Sequence, residues 1–243
     1  MNTIAPPPKI SSLPPRRRVL AITIGFIGGM LGNLSLGYTG FSLYAKNTKF
    51  VPYDTSSPDL DTPVFRKHNP ERNPPVCIDH AVRTVPLDKL KSQERGVLTR
   101  EFCRGVWGGV GFALQRRYLE RKYRALEGRD KMLWDKEELG KSEYEVGTKI
   151  VDHFEVVDRS DDRVVVRCGD SPLNTAQRPG DGLFSMEVTE DEEAQTATFH
   201  LKSVFVDTTP EGKNAQPLPW HFQFLHRAYT KLLMETAVRK LMK

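Results

Sequence analysis

The chain has 243 residues, 38% of them hydrophobic and 28% charged, with a net charge of +5, long enough for one domain with a proper core. The charge is unevenly placed: before Asp54 stand six bases and no acids, and the remainder holds 30 bases against 31 acids. A domain that is close to neutral lacks the basic face that phosphates require, which argues against nucleic acid as a partner.

Residues 1–18 form a Pro-rich tail ending in Arg16, Arg17 and Arg18. Its prolines oppose the amphipathic helix of a mitochondrial presequence. Residues 19–45 contain no Asp, Glu, Lys, Arg or His over 27 positions, where about 20 apolar residues suffice to cross a bilayer. Such a run exceeds the apolar core of a cleaved signal peptide and predicts one transmembrane anchor. Four bases precede it and two follow closely, which favours an N-terminus on the cytosolic or matrix side of an endomembrane or the mitochondrial inner membrane. Gly25 and Gly29, like Gly28 and Gly32, have the spacing that lets two membrane helices approach, so a homodimer through the span is a secondary expectation. Residues 46–75, rich in Pro, Asp and Ser without an apolar period, read as a flexible tether.

The domain, 76–243, opens with a β-favouring run over 76–85. Asp88 reads as a helix N-cap, and two helices, 88–104 and 109–127, are expected to meet at a glycine-rich bend near Trp107. The second carries Arg116, Arg117, Arg121, Lys122 and Arg124, read as a solvated face, with attraction to anionic lipid as the alternative. Period-two alternation then predicts strands over 150–157, 163–168, 183–189 and 196–206, joined by direct turns and therefore antiparallel with one buried face. The acidic clusters Asp161-Asp162 and Asp191-Glu192-Glu193 fall in those turns and read as solvated. Last comes an amphipathic helix from Trp220, about 33 Å long, expected to bury Phe222, Leu225, Tyr229, Leu232, Leu233, Thr236 and Ala237, with Arg227, Lys231 and Glu235 on the solvated side.

Strand, two linked helices, antiparallel strands and one long C-terminal helix is an order that resembles the START/Bet v1-like helix-grip superfamily. The likeness rests on DHAVRTVPLDKL (79–90), VGTKIVDHFEVV (146–157), EEAQTATFHLKSVFV (192–206) and FLHRAYTKLLMETAVRKL (224–241), and covers 76–243. It implies an α+β fold in which an antiparallel sheet wraps the last helix around an apolar cavity. Five strands are read where that superfamily has six or seven, so the missing ones are expected within 128–147 or 170–182. The resemblance implies a binder or local carrier of a lipid, sterol, quinone or polyketide. From the apolar inner faces and the helix mouth, the expected ligand-binding residues are Trp107, Phe154, Phe184, Phe199, Phe205, Trp220, Phe222, His226 and Tyr229.

No nucleophile elbow, P-loop or His-Glu-x-x-His occurs, and GVWGGVG (105–111) lies between helices rather than after a strand, so no catalytic residue, cofactor or dinucleotide site is expected. Cys77, Cys103 and Cys168 are too scattered for a zinc site and read as reduced thiols, with a Cys77–Cys103 bridge as the less favoured alternative. His221 and His226 diverge by about 140° on one helix and cannot share a metal. Two rival functions remain: a cyclase- or hydrolase-type enzyme using His226 with a cavity carboxylate, and a membrane assembly factor with a filled core.

Overall fold

The computed structural model describes residues 37–94 and 96–243. It divides into two units, Met1–Lys46 and Asn47–Lys243. In the first, the described part is helical over 37–44 (α1). Most of the expected span, with Gly25, Gly28, Gly29 and Gly32, lies outside the described residues, among which no helix is long and apolar enough to cross a membrane.

The second unit is α+β. Its strands are β1 (Lys49–Phe50), β2 (Pro75–Pro86), β3 (Lys149–Ile150), β4 (Phe154–Arg159), β5 (Arg163–Cys168), β6 (Asp181–Asp191) and β7 (Thr196–Val206). They form one antiparallel sheet of seven strands in the order β1-β2-β7-β6-β5-β4-β3. The helices are α2 (Pro63–His68), α3 (Val97–Trp107), α4 (Ala113–Tyr123), α5 (Lys136–Leu139) and α6 (Trp220–Leu241). Alternation does in β7 what strand geometry dictates: Ala197, Phe199, Leu201 and Ser203 are buried while Thr198, His200 and Lys202 stay partly exposed. The inner face packs on α3 and α6 to make the main core.

Several expectations are corrected. The two strands beyond the expected five are the short edges β1 and β3, in neither of the segments expected to hold them. The strand expected over 150–157 is broken, because Val151 and Asp152 adopt positive φ (45° and 52°) and turn β3 into β4. Asp152 holds that turn, accepting from Arg129 Nε at 3.2 Å and Ser171 Oγ at 2.5 Å. Asp88 caps no long helix: Leu87–Lys89 is a single 3-10 turn, and α3 starts only at Val97. Residues 47–75 are structured. Ser57 and Thr62 accept from the backbone N–H groups of Asp59 and Phe65 at helix starts that have proline in the first turn, so the residues that read as linker are capping residues. Phe65 is buried there with Val165, Leu183, Val204 and Val206, which covers part of the sheet's outer face and explains why those outward positions are apolar.

α6 also lies differently from the expected helical wheel. Its buried positions are Thr230, Leu233, Met234, Glu235, Ala237, Val238 and Leu241, whereas Phe222 and Leu225 are exposed. Arg227 is on the solvated side as expected, but Glu235 is fully buried. The reason is Arg83, on the inner face of β2, whose Nη1 donates to Glu235 Oε2 at 2.6 Å. Thr48 Oγ1 donates to Oε1 at 2.7 Å, and Arg239 Nε donates to Oε2 at 3.1 Å. Close approach of the helices fixes the other side: a Cβ at Gly105 of α3 would stand 2.9 Å from Ala237 Cα.

Removing one partner of a buried pair strands the other charge. Glu235→Ala is expected to cost about 3–5 kcal/mol in urea unfolding. A solvated glutamate would cost within ~0.5 kcal/mol, and such a value would contradict this placement.

Candidate functional site

Strand register sets out the floor of a cavity. Cys77, Phe205, Gly182, Cys168 and Phe154 form one row across β2, β7, β6, β5 and β4, and Asp79, Ser203, Phe184, Val166 and Val156 form the next row on the same face. Gly182 leaves the first row without a side chain, and the Phe205 ring leans over the gap, 2.8 Å from where a Cβ would sit. Above this floor lie the end of α3, the start of α4 and the middle of α6. Between them is a cavity of about 160 Å³, lined by Trp107, Phe112, Gln115, His153, Phe154, Cys168, Gly169, Phe184, Phe205, His226, Tyr229, Thr230 and Leu233.

The walls are mostly aromatic rings in edge contact. Trp107 meets Phe154 at 4.7 Å, Phe112 at 5.0 Å and Phe184 at 6.0 Å between centroids, and Phe205 meets His226 at 5.1 Å. Rigid rings packed edge to face cannot collapse into the space between them. The few polar groups are separated. Tyr229 donates its hydroxyl hydrogen to Gln115 Oε1 at 2.7 Å, and burial raises the Tyr229 pKa. Burial pushes the Cys168 thiol up to about 12, and burial lowers the pKa of His153. Trp107 Nε1 is buried without a hydrogen-bond partner among the described residues. His226 Nε2 lies 3.0 Å from Oδ2 of the buried Asp79, yet off the direction of a hydrogen bond.

Of the nine residues expected from sequence, six line the cavity: Trp107, Phe154, Phe184, Phe205, His226 and Tyr229. Phe199 sits elsewhere in the core, against Phe102 with centroids 5.1 Å apart. Trp220 and Phe222 are 78% and 55% exposed on the projecting first turns of α6. Sequence reasoning missed Phe112, Gln115, His153, Thr230 and, behind His226, Asp79. Asp79 carried a signal: it shares inward parity with Cys77 and Ala81 in β2, where a carboxylate is out of place.

Two polar features occupy other parts of the sheet. A furrow of about 640 Å³ is flanked by Lys67, His68, Glu155, Arg167 and Gln177. On the outer face His80 Nε2 and His200 Nδ1 are 2.9 Å apart, and His200 Nε2 is 2.9 Å from Thr189 Oγ1. The three cysteines are free and buried.

No protein-family model matches the chain, and no curated protein matches it. Among solved structures, the chain is similar to the crystal structure of the Mll3558 protein from Rhizobium loti. The two are 14% identical over 65% of this chain and 98% of that one, with a TM-score of 0.24, too weak a likeness to carry an argument.

Burial, and then the charge of Arg167, lowers His68 from 6.5 to about 4; burial, and then His200, lowers His80 to about 4 as well. The folded chain therefore binds fewer protons than the unfolded chain between pH 6.5 and 4. The contribution of these two histidines to stability is complete above 6.5 and is lost as the pH falls toward 4. Urea midpoints should drop across that window, and less steeply in the double variant His68→Phe/His80→Phe. An equal slope in both chains would contradict the assignment.

Proposed function

We propose that residues 47–243 form a START/Bet v1-like helix-grip domain that binds a hydrophobic small molecule and presents it locally at a membrane. The element order supports the fold: a long first strand, α3 and α4, antiparallel strands that return to pair with that first strand, and a C-terminal helix packed on the inner face. The cavity between α6 and the sheet carries the functional reading, because it is apolar, ring-lined and provided with only a few polar groups.

Volume narrows the ligand. A cavity of about 160 Å³ is close in size to an engineered cavity of about 150 Å³ that takes benzene. It accommodates one ring or the end of a chain and excludes a whole sterol nucleus. A quinone head, one ring of a polyketide or an acyl terminus fits, with the rest of the molecule leaving by the mouth.

The surroundings of the mouth support a membrane setting. Leu114, next in sequence to the lining residue Gln115, is 82% exposed, and Trp220, Phe222 and Leu225 are exposed on the first turns of α6. Arg117, Arg121 and Lys122 are exposed on α4. Apolar side chains fringed by bases suit the interface of an anionic bilayer. The uncharged run 19–45 would keep the domain within reach of that surface as a single-pass anchor.

Toluene tests the cavity. At a hundredfold excess over its Kd, it should raise the Tm of the full chain by roughly 5–10 °C, saturably. Thr230→Phe, which fills the cavity from α6, should abolish the shift. An unsaturable shift, or an equal one in the variant, would remove the cavity as a binding site.

A further inference from the structure

Among the described residues, the buried carboxylates are hydrogen-bonded, with one exception. Glu235 takes hydrogen bonds from Thr48, Arg83 and Arg239. Asp181 takes them from Arg167, Arg178 and Thr208, and Asp152 from Arg129 and Ser171. Asp79 is as deeply buried as these, yet neither of its oxygens has a directed hydrogen bond among the described residues. The near cation-forming group is His226, with Nε2 at 3.0 Å. Cross-strand from Asp79, Ser203 Oγ is also buried without a partner. A buried carboxylate with one imidazole beside it and no directed hydrogen bond weakens the fold, and a catalytic role is one physical reason for keeping such a group.

The placement of the pair gives it a use. His226 forms part of the cavity wall, its ring edge-on to Phe205, while Asp79 stands behind it, away from the lining. This is the order of a general base and the carboxylate that orients it. Imperfect alignment suits that role, since catalytic hydrogen bonds often tighten only when ligand binds. On the cavity wall, Trp107 carries an indole N–H with no acceptor among the described residues.

Resting on the reading of the cavity as a ligand site, we propose that Asp79 and His226 form a proton-transfer pair acting on a small cyclic ketone or the ketone ring of a larger molecule. Nδ1 of His226, the nitrogen not turned to Asp79, takes a proton from the carbon next to the carbonyl. The C–H pair becomes the C=C of an enolate, and the carbonyl π pair moves onto oxygen, where the Trp107 N–H is the available donor. The carboxylate of Asp79 stabilises the imidazolium. The imidazolium N–H exchanges with solvent, and a proton then returns from it to the same carbon, so the step consumes nothing and needs no co-reactant. His226 is the catalytic residue and Asp79 a positioning residue.

Cyclohexanone in D₂O is the probe, with the full chain held in lipid nanodiscs and deuterium uptake at the α-carbons followed by NMR. Wild type should speed uptake saturably, and His226→Gln should lower the saturated rate by about 100-fold. Asp79→Asn should lower it by about tenfold or more and leave the half-saturating concentration within about twofold. Uptake at the buffer rate, or equal uptake in wild type and His226→Gln, would overturn the proposal; the histidine variant decides should Asp79→Asn fail to fold. The toluene shift separates the two readings. If toluene binds saturably and uptake stays at the buffer rate, proton transfer falls and the binding function stands. If neither compound binds, both fall.

Discussion

The position of α6 on the sheet depends on buried charge. Arg83 on β2 meets Glu235 on α6, and Asp79, four residues earlier on the strand, meets His226, nine residues earlier on the helix. Four strand residues rise about 13 Å and nine helical residues about 13.5 Å, so helix and strand run side by side in step. Once Glu235 is committed to Arg83, the helix cannot slide without stranding a charge in the core, a far larger penalty than the loss of any single apolar contact. This one pair therefore sets which residues of α6 look down on the sheet. His226, Tyr229, Thr230 and Leu233 face the cavity, and the turns before His226 project beyond the core.

The cavity follows from this fixed helix. At its C-terminal half, α6 is drawn close to α3, where Gly105 allows the approach of Ala237. Farther toward its start, rings of Trp107, Phe112, Phe154, Phe184 and Phe205 stand between helix and sheet. These rings meet one another edge to face or tilted, and the space between them is left open. The remaining space is thus a property of particular side chains in a particular register. It lies next to the solvent-exposed, apolar beginning of α6.

Much of this was legible in the residues. A β-favouring run located β2, and period-two alternation located β5, β6 and β7, each to within a few residues, and the length of α6 was plain from its uninterrupted helical pattern. Inward strand parity gave Phe154, Phe184 and Phe205, and the helices gave Trp107, His226 and Tyr229, six of the thirteen residues of the cavity wall. What escaped has common physical causes. Edge strands of two residues carry no period. Proline, serine and threonine in residues 57–63 serve as helix starts, and the same composition reads as linker until a partner surface is known. Glu235 was assigned to solvent because its partner lies more than 150 positions away, and no local pattern reports a distant arginine. Phe222 fits the apolar stripe of α6 and is exposed all the same, because the sheet ends before the helix does.

The account rests on the space under α6 being a site for a small molecule. Native mass spectrometry of the full chain, beside Thr230→Phe and with any retained compound extracted and identified, tests that most directly. The account predicts one discrete hydrophobic compound, bound one-to-one by wild type and absent from the variant. Wild type at the bare mass of the polypeptide, or the same compound retained equally by the variant, would contradict it.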